Sequence, residues 1–101
     1  MIYLDNNATT RVHSEVAKAM SPFLSDEYGN PSTGYDLGRR SNKALAGARN
    51  QVAEFLNSDP EEIVFTSCGT ESDNTAIFSA ITAMPEKRHI VTTSIEHSAV
   101  I

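Results

Sequence analysis

The sequence contains a single cysteine, Cys68, and no tryptophan. One thiol excludes an intramolecular disulfide and any zinc site built from several thiolates. Apolar runs are short: nowhere do 18 apolar residues follow one another, and the start, Met1-Ile2-Tyr3-Leu4-Asp5-Asn6-Asn7, has no basic segment leading into an apolar stretch. Neither a membrane span nor a secretion signal is expected, and the chain reads as cytosolic. Asn7-Ala8-Thr9 fits the glycosylation sequon, but without a secretion signal it carries no such expectation. Positive charge is also scarce. Eight Lys and Arg against thirteen Asp and Glu give a net charge of −5, and no basic cluster exceeds the pairs Arg39-Arg40 and Lys87-Arg88. That balance makes nucleic acid and anionic membranes poor partners. What remains is ordinary: 101 residues, 40% hydrophobic and 21% charged. This is the composition of an ordered globular chain and the length of one compact domain, too short for a two-domain enzyme.

Residues 2–12 lack a helical period and read as an extended arm. A helix is expected to open at His13 or Ser14, with Val16, Met20 and Phe23 or Leu24 on one face and Glu15 in the first turn; Pro22 should kink or restart it. Tyr28-Gly29-Asn30-Pro31-Ser32-Thr33-Gly34 is dense in turn formers and reads as a loop. From about Tyr35 to Leu56 the set Leu37, Ala44, Leu45, Ala48, Val52, Phe55 and Leu56 recurs at helical spacing, so one long amphipathic helix is predicted, ended by Asn57-Ser58-Asp59-Pro60. The second half alternates. Ile63-Val64-Phe65 reads as a strand. A helix follows with Ala76, Ile77, Ala80, Ile81 and Met84 inward, closed by Pro85. His89-Ile90-Val91-Thr92-Thr93 reads as a second strand, and Glu96-His97-Ser98 as the opening of a further helix. Strand, helix, strand, helix-start is the order of a mainly parallel α/β sheet with crossover helices.

In such a sheet ligands bind beyond the carboxyl ends of the strands, which directs attention to the segments after Phe65 and Thr93. Thr66-Ser67-Cys68-Gly69-Thr70-Glu71 places hydroxyls and a glycine where a helix begins. It admits two readings: an anion-binding turn, most plausibly for phosphate, or a helix start capped by Ser67 or Thr70. Neither GxGxxG nor GxxxxGK[ST] occurs, so dinucleotide and nucleoside-triphosphate fingerprints are absent. At the second edge, His97 is able to stack on a planar ring, shuttle a proton, or serve structure alone. His13 and His89 fall elsewhere, so no metal site is expected. Cys68 and Glu71 read as structural, Glu71 as a cap or orienting group. Asp5-Asn6-Asn7 reads as a turn or, alternatively, as a ligand contact.

Four segments in register resemble one family. Tyr3-Leu4-Asp5-Asn6-Asn7-Ala8-Thr9-Thr10, Tyr28-Gly29-Asn30-Pro31-Ser32 with Gly38, Phe65-Thr66-Ser67-Cys68-Gly69-Thr70-Glu71-Ser72-Asp73-Asn74, and Glu96-His97-Ser98-Ala99-Val100 are similar to the amino-terminal quarter of pyridoxal-phosphate-dependent cysteine desulfurases, of the nitrogen-fixation-like branch. Tyr35 departs from the pattern, standing where the family usually has histidine. The resemblance implies a fold-type I enzyme, with residues 1–14 an arm of the small domain and 15–101 the first part of the large cofactor-binding domain. It implies that Gly69 and Thr70 hold the phosphate of pyridoxal 5'-phosphate, and that His97 stacks on the ring and assists proton transfer.

It further implies that L-cysteine is converted to L-alanine and an enzyme persulfide, that an iron-sulfur scaffold or other acceptor protein takes the sulfur, and that the full-length enzyme is a homodimer. Lys18, Lys43 and Lys87 lack the family's Schiff-base context, and Cys68 does not match the sulfur-accepting cysteine. The chain is therefore expected to be an inactive fragment by itself, with exposed apolar faces, awaiting the remainder of the enzyme. A different reading is a stand-alone, non-catalytic α/β module that binds a phosphate or a protein partner through the same helix start.

Overall fold

His13 opens the first helix as a cap. Its backbone is extended and its Nδ1 accepts the Glu15 N–H at 3.3 Å, so α1 runs Ser14–Met20. Pro22 restarts the chain tightly: the helix passes into a 3₁₀ turn over Ser21–Leu24 with the proline in its first turn, where a missing N–H costs nothing. The computed structural model describes residues 2–101. Beyond α1 the described residues form two further α-helices, α2 (Asp36–Leu56) and α3 (Gly69–Ala83), and a 3₁₀ turn over Pro60–Glu62. The chain divides into two compact units, one ending at Ile63 and one spanning Val64–Ile101.

In the first unit the turn-rich loop is stitched to the start of α2. Arg40 Nε pairs with Glu27 Oε2 at 2.9 Å, Ser41 Oγ donates to the Glu27 carbonyl at 3.1 Å, and Asn42 Nδ2 donates to the Pro31 carbonyl at 3.2 Å. Two glycines permit the approach. A Cβ on Gly29 would stand 2.6 Å from the Leu37 carbonyl group, and one on Gly38 would stand 2.6 Å from the Asn30 carbonyl oxygen and 2.1 Å from Thr33 Oγ1. Helix α2 closes as its sequence implies: Asn57 takes the left-handed conformation (φ 54°) and the Ser58 N–H reaches back to the Ala53 carbonyl at 3.0 Å, a Schellman-type end. The following 3₁₀ turn is held by a reciprocal capping box between Asp59 and Glu62, which the sequence reading passed over.

The described residues depart from the expected elements in four places. The arm is not uniformly extended, since Asp5-Asn6-Asn7 makes a turn in which the Ala8 N–H meets the Asp5 carbonyl at 3.1 Å. The runs 63–65 and 89–93 are non-helical but form no ladder; among the described residues there is no strand, because a parallel strand exists only where a neighbour supplies the alternate N–H and C=O groups. Glu96–Ile101 contributes one turn and not a helix. The face of α3 read as inward is largely exposed, with Ile77 and Ile81 meeting only the segment around Ile90 among the described residues. Of Ala76, Ile77, Ala80, Ile81 and Met84 only Ile77 is half-buried, and Phe78 is 64% exposed.

Helix α2 matches its predicted span, yet among the described hydrophobic residues Ala53 alone is buried. The accessible surface is 8936 Å², whereas a folded monomer of 11.0 kDa has about 5,600 Å². Large apolar side chains are exposed on all three α-helices, among them Val16 on α1, Phe55 on α2 and Phe78 on α3, as the expectation of exposed helix faces has it.

Gly38→Ala is expected to cost about 1–3 kcal/mol at the loop, the usual range for forced overpacking. It should be read as faster amide exchange at Thr33, whose N–H bonds the Asn30 carbonyl at 3.1 Å. Gly47→Ala in the same helix, where an added Cβ meets nothing within 4 Å, should instead stabilise α2 by roughly 1 kcal/mol.

Candidate functional site

Helix α3 begins without a side-chain cap. Cys68 holds the capping position in an extended conformation (φ −164°, ψ 172°), and the first helical bond runs from the Ser72 N–H to the Cys68 carbonyl at 3.1 Å. Neither of the caps expected from sequence, Ser67 or Thr70, occupies that role. Ser67 donates both its N–H and its hydroxyl to Glu71 Oε2, each at 2.6 Å. Glu71 thus reaches back as in a capping box, one residue further than usual, and is the orienting group the sequence suggested. The Ser67 hydroxyl and then the Ser67 N–H stabilise its carboxylate and hold its pKa below the ordinary value.

The N–H groups at the start of α3 therefore face an exposed thiol and open space. Cys68 is free and exposed. The Glu71 N–H is the largest influence lowering its pKa, with the Ser67 hydroxyl and the Thr70 N–H acting in the same direction; desolvation and the Glu71 charge oppose them. A Cβ added at Gly69 would meet no atom within 4 Å. The space over the first turn is accessible, and its donors are of the kind that bind a phosphate oxygen.

His97 is exposed and opens the one-turn segment that follows Thr93. Its Nδ1 accepts the Ala99 N–H at 3.1 Å and its carbonyl accepts the Val100 N–H at 2.9 Å, while the Thr93 hydroxyl donates to Glu96 Oε1 at 2.9 Å. Asn74 joins this turn to α3: its Nδ2 donates to the Thr70 carbonyl at 2.9 Å and to the Ala99 carbonyl at 3.0 Å. Gly69, Thr70 and His97 are thus carried on two adjoining pieces of backbone. The sequence reading gave Asn74 no role. The available signal was an asparagine inside a helix, where its amide competes with the backbone unless it bonds a carbonyl.

His89 lies away from this turn, beside an apolar recess of about 220 Å³ lined by Ile77, Ile81 and Ile90, and His13 caps α1 in the other unit. Among the described residues no three His, Cys, Asp or Glu side chains form a metal-binding group. No described helix is long and apolar enough to cross a membrane.

The arrangement suits a phosphorylated planar ligand. Its phosphate would meet first-turn N–H groups and the Thr70 hydroxyl, with no side chain on Gly69 to obstruct it. An exposed imidazole offers a flat, proton-carrying surface nearby in the same unit. Glu71, already bonded to Ser67, does not supply a free acid or base.

Because the folded pKa of Glu71 is depressed, the contribution of its Ser67 bonds is present above the ordinary carboxylate pKa and is lost as pH falls through the lower folded value. The Ser67 amide proton should therefore titrate with a midpoint below that of a free glutamate, and Glu71→Gln should abolish that titration. Alkylation of Cys68 by iodoacetamide should reach half-maximal rate below the pH of an ordinary thiol, with the midpoint rising in Ser67→Ala.

Comparison with known proteins gives a consistent picture. The family described as aminotransferase class-V matches residues 2–101. The chain is 58% identical over 101 residues to "Cysteine desulfurase" of Trichormus azollae, covering 100% of this chain and 25% of that protein. It is 50% identical to "Cysteine desulfurase NifS" of Azotobacter vinelandii, covering 99% of this chain and 25% of that protein. A solved structure named "NIFS-LIKE PROTEIN" superposes with a TM-score of 0.88 at 44% identity, covering 98% of this chain and 28% of the other. The chain spans about a quarter of the length of the curated relatives it matches.

Proposed function

The chain belongs to the aminotransferase class-V family, and we propose that it is the cofactor-phosphate and ring-stacking portion of a cysteine desulfurase. The observation that carries this reading is the uncapped first turn of α3 joined through Asn74 to the turn that presents His97. Gly69 and Thr70 hold the phosphate of pyridoxal 5'-phosphate, with backbone N–H groups and the Thr70 hydroxyl as donors. His97 would offer its imidazole to the ring and would hold or release a proton beside it. When bound, the cofactor supplies the electron sink that stabilises negative charge at the substrate α-carbon.

The substrate is L-cysteine, the products are L-alanine and an enzyme persulfide, and the sulfur passes to an iron-sulfur scaffold or another acceptor protein. Residues 1–14 belong to the small domain and 15–101 to the large one. The runs 63–65 and 89–93 are strands of the fold-type I sheet, completed by neighbours outside these residues, in an enzyme that works as a homodimer in the cytoplasm. Lys18, Lys43, Lys87 and Cys68 serve neither as the Schiff-base lysine nor as the sulfur acceptor.

Co-purified with the part of the Trichormus azollae relative that the match leaves uncovered, the chain is expected to bind pyridoxal 5'-phosphate, read as visible absorbance, and to release alanine from L-cysteine. The 101-residue chain alone should do neither, and alanine formed by it alone would overturn the reading. Tight phosphate binding without any complementation would favour a stand-alone binding module instead.

A second readout needs no turnover. A dianion at the start of α3 disfavours the Cys68 thiolate, so cofactor binding to the complemented protein should slow its alkylation. Thr70→Ala should raise the cofactor concentration needed for that protection by about 10- to 100-fold, the range for a hydrogen bond to a charged group.

A further inference from the structure

The geometry points to Asn74 as a positioning residue: its carboxamide fastens the His97 turn to the first turn of α3 and, through Ala99, holds the neutral imidazole as the Nε2–H tautomer. The purpose of this arrangement rests on the function proposed above; the arrangement itself rests on hydrogen bonds. A carboxamide has two N–H donors, and Asn74 Nδ2 donates to two carbonyls, Thr70 at 2.9 Å and Ala99 at 3.0 Å. The bond to Ala99 spans 25 residues of chain. Among the described residues, the other side-chain hydrogen bonds between Thr66 and Ala99 join residues no more than four apart. Asn74 is therefore the polar fastening between the phosphate turn and the histidine turn.

Residue 99 is held from both sides. Its carbonyl accepts from Asn74, and its N–H donates to His97 Nδ1 at 3.1 Å. A nitrogen that accepts an N–H offers its lone pair and carries no proton, so the single proton of the neutral ring resides on Nε2. Nε2 makes no side-chain hydrogen bond among the described residues, which leaves it as the nitrogen available to a ligand. Releasing Asn74 frees the peptide that selects the tautomer. His13 provides an internal comparison, since its Nδ1 accepts the Glu15 N–H at 3.3 Å in the same two-residue pattern without an asparagine brace.

The test is nitrogen NMR of the complemented, cofactor-loaded protein. In the unsubstituted protein the His97 ring should show a protonated Nε2 and a bare Nδ1, with a coupling across the hydrogen bond between Nδ1 and the Ala99 nitrogen. Absence of that coupling would overturn the proposal without any variant. Asn74→Ala keeps or raises helix propensity, and should reduce the Nε2–H population relative to the other tautomer by about three- to tenfold, the effect of one net hydrogen bond. Asn74→Asp, which keeps the shape but places acceptors against two carbonyls, should act in the same direction, and His13 should stay unchanged in both. His97 ring signals unmoved in both variants, with cofactor bound, would refute the positioning role and leave the function standing. Failure of the unsubstituted protein to bind cofactor would refute the function, while the tautomer and coupling still report on the brace.

Discussion

The first turn of a helix has N–H groups that no residue of that helix is able to accept, and the way each start in this protein disposes of them governs its surroundings. Helix α1 uses the imidazole of His13. The turn after Glu96 uses the imidazole of His97 in the same way. The 3₁₀ turn after Asp59 uses a carboxylate pair. Helix α3 has no side-chain cap, and its glutamate is turned back onto Ser67. Helix α2 likewise begins without a side-chain cap, at Tyr35; at α3 the open first turn also carries the glycine and hydroxyl at which the cofactor phosphate is proposed to sit.

Local structure was legible wherever a residue decides its own neighbourhood. His13 before Glu15, the spacing of apolar residues through Leu56, the Asn57 terminus and the Glu71 orienting role all follow from interactions within one or two turns, and the structure reproduces them. Strands were legible only as a propensity. Ile63-Val64-Phe65 and His89–Thr93 have the composition of strands, but a strand is a relation between two backbones, and these segments form no ladder among the described residues. The same reasoning explains α3. Its apolar residues mark a face to be covered, and periodicity identifies such a face without supplying the surface that covers it.

The candidate site divides along the same line. Gly69, Thr70 and His97 were marked as candidates by their place after an apolar run and received their proposed roles from the family resemblance. Asn74 was not, since nothing near it in sequence reveals a bond to Ala99. A residue that acts between segments is identified by three-dimensional coincidence, and the polar side chain in a helix interior was its only trace. Cys68 is a further instance: read as inert from sequence, it keeps that structural place as the capping residue, yet the N–H groups around it favour its thiolate.

The paired glycines of the first unit have a consequence of their own. Gly29 lies against Leu37 and Gly38 against Asn30 and Thr33, so the loop and the helix each supply the vacancy the other needs. Such a joint has no slack: a loop held by backbone against backbone cannot be padded on one side and relaxed on the other. The segment from Tyr28 to Gly34 and the opening of α2 thereby behave as a single mechanical part, and any change of loop sequence must be compatible with a helix that begins eight residues or so further on.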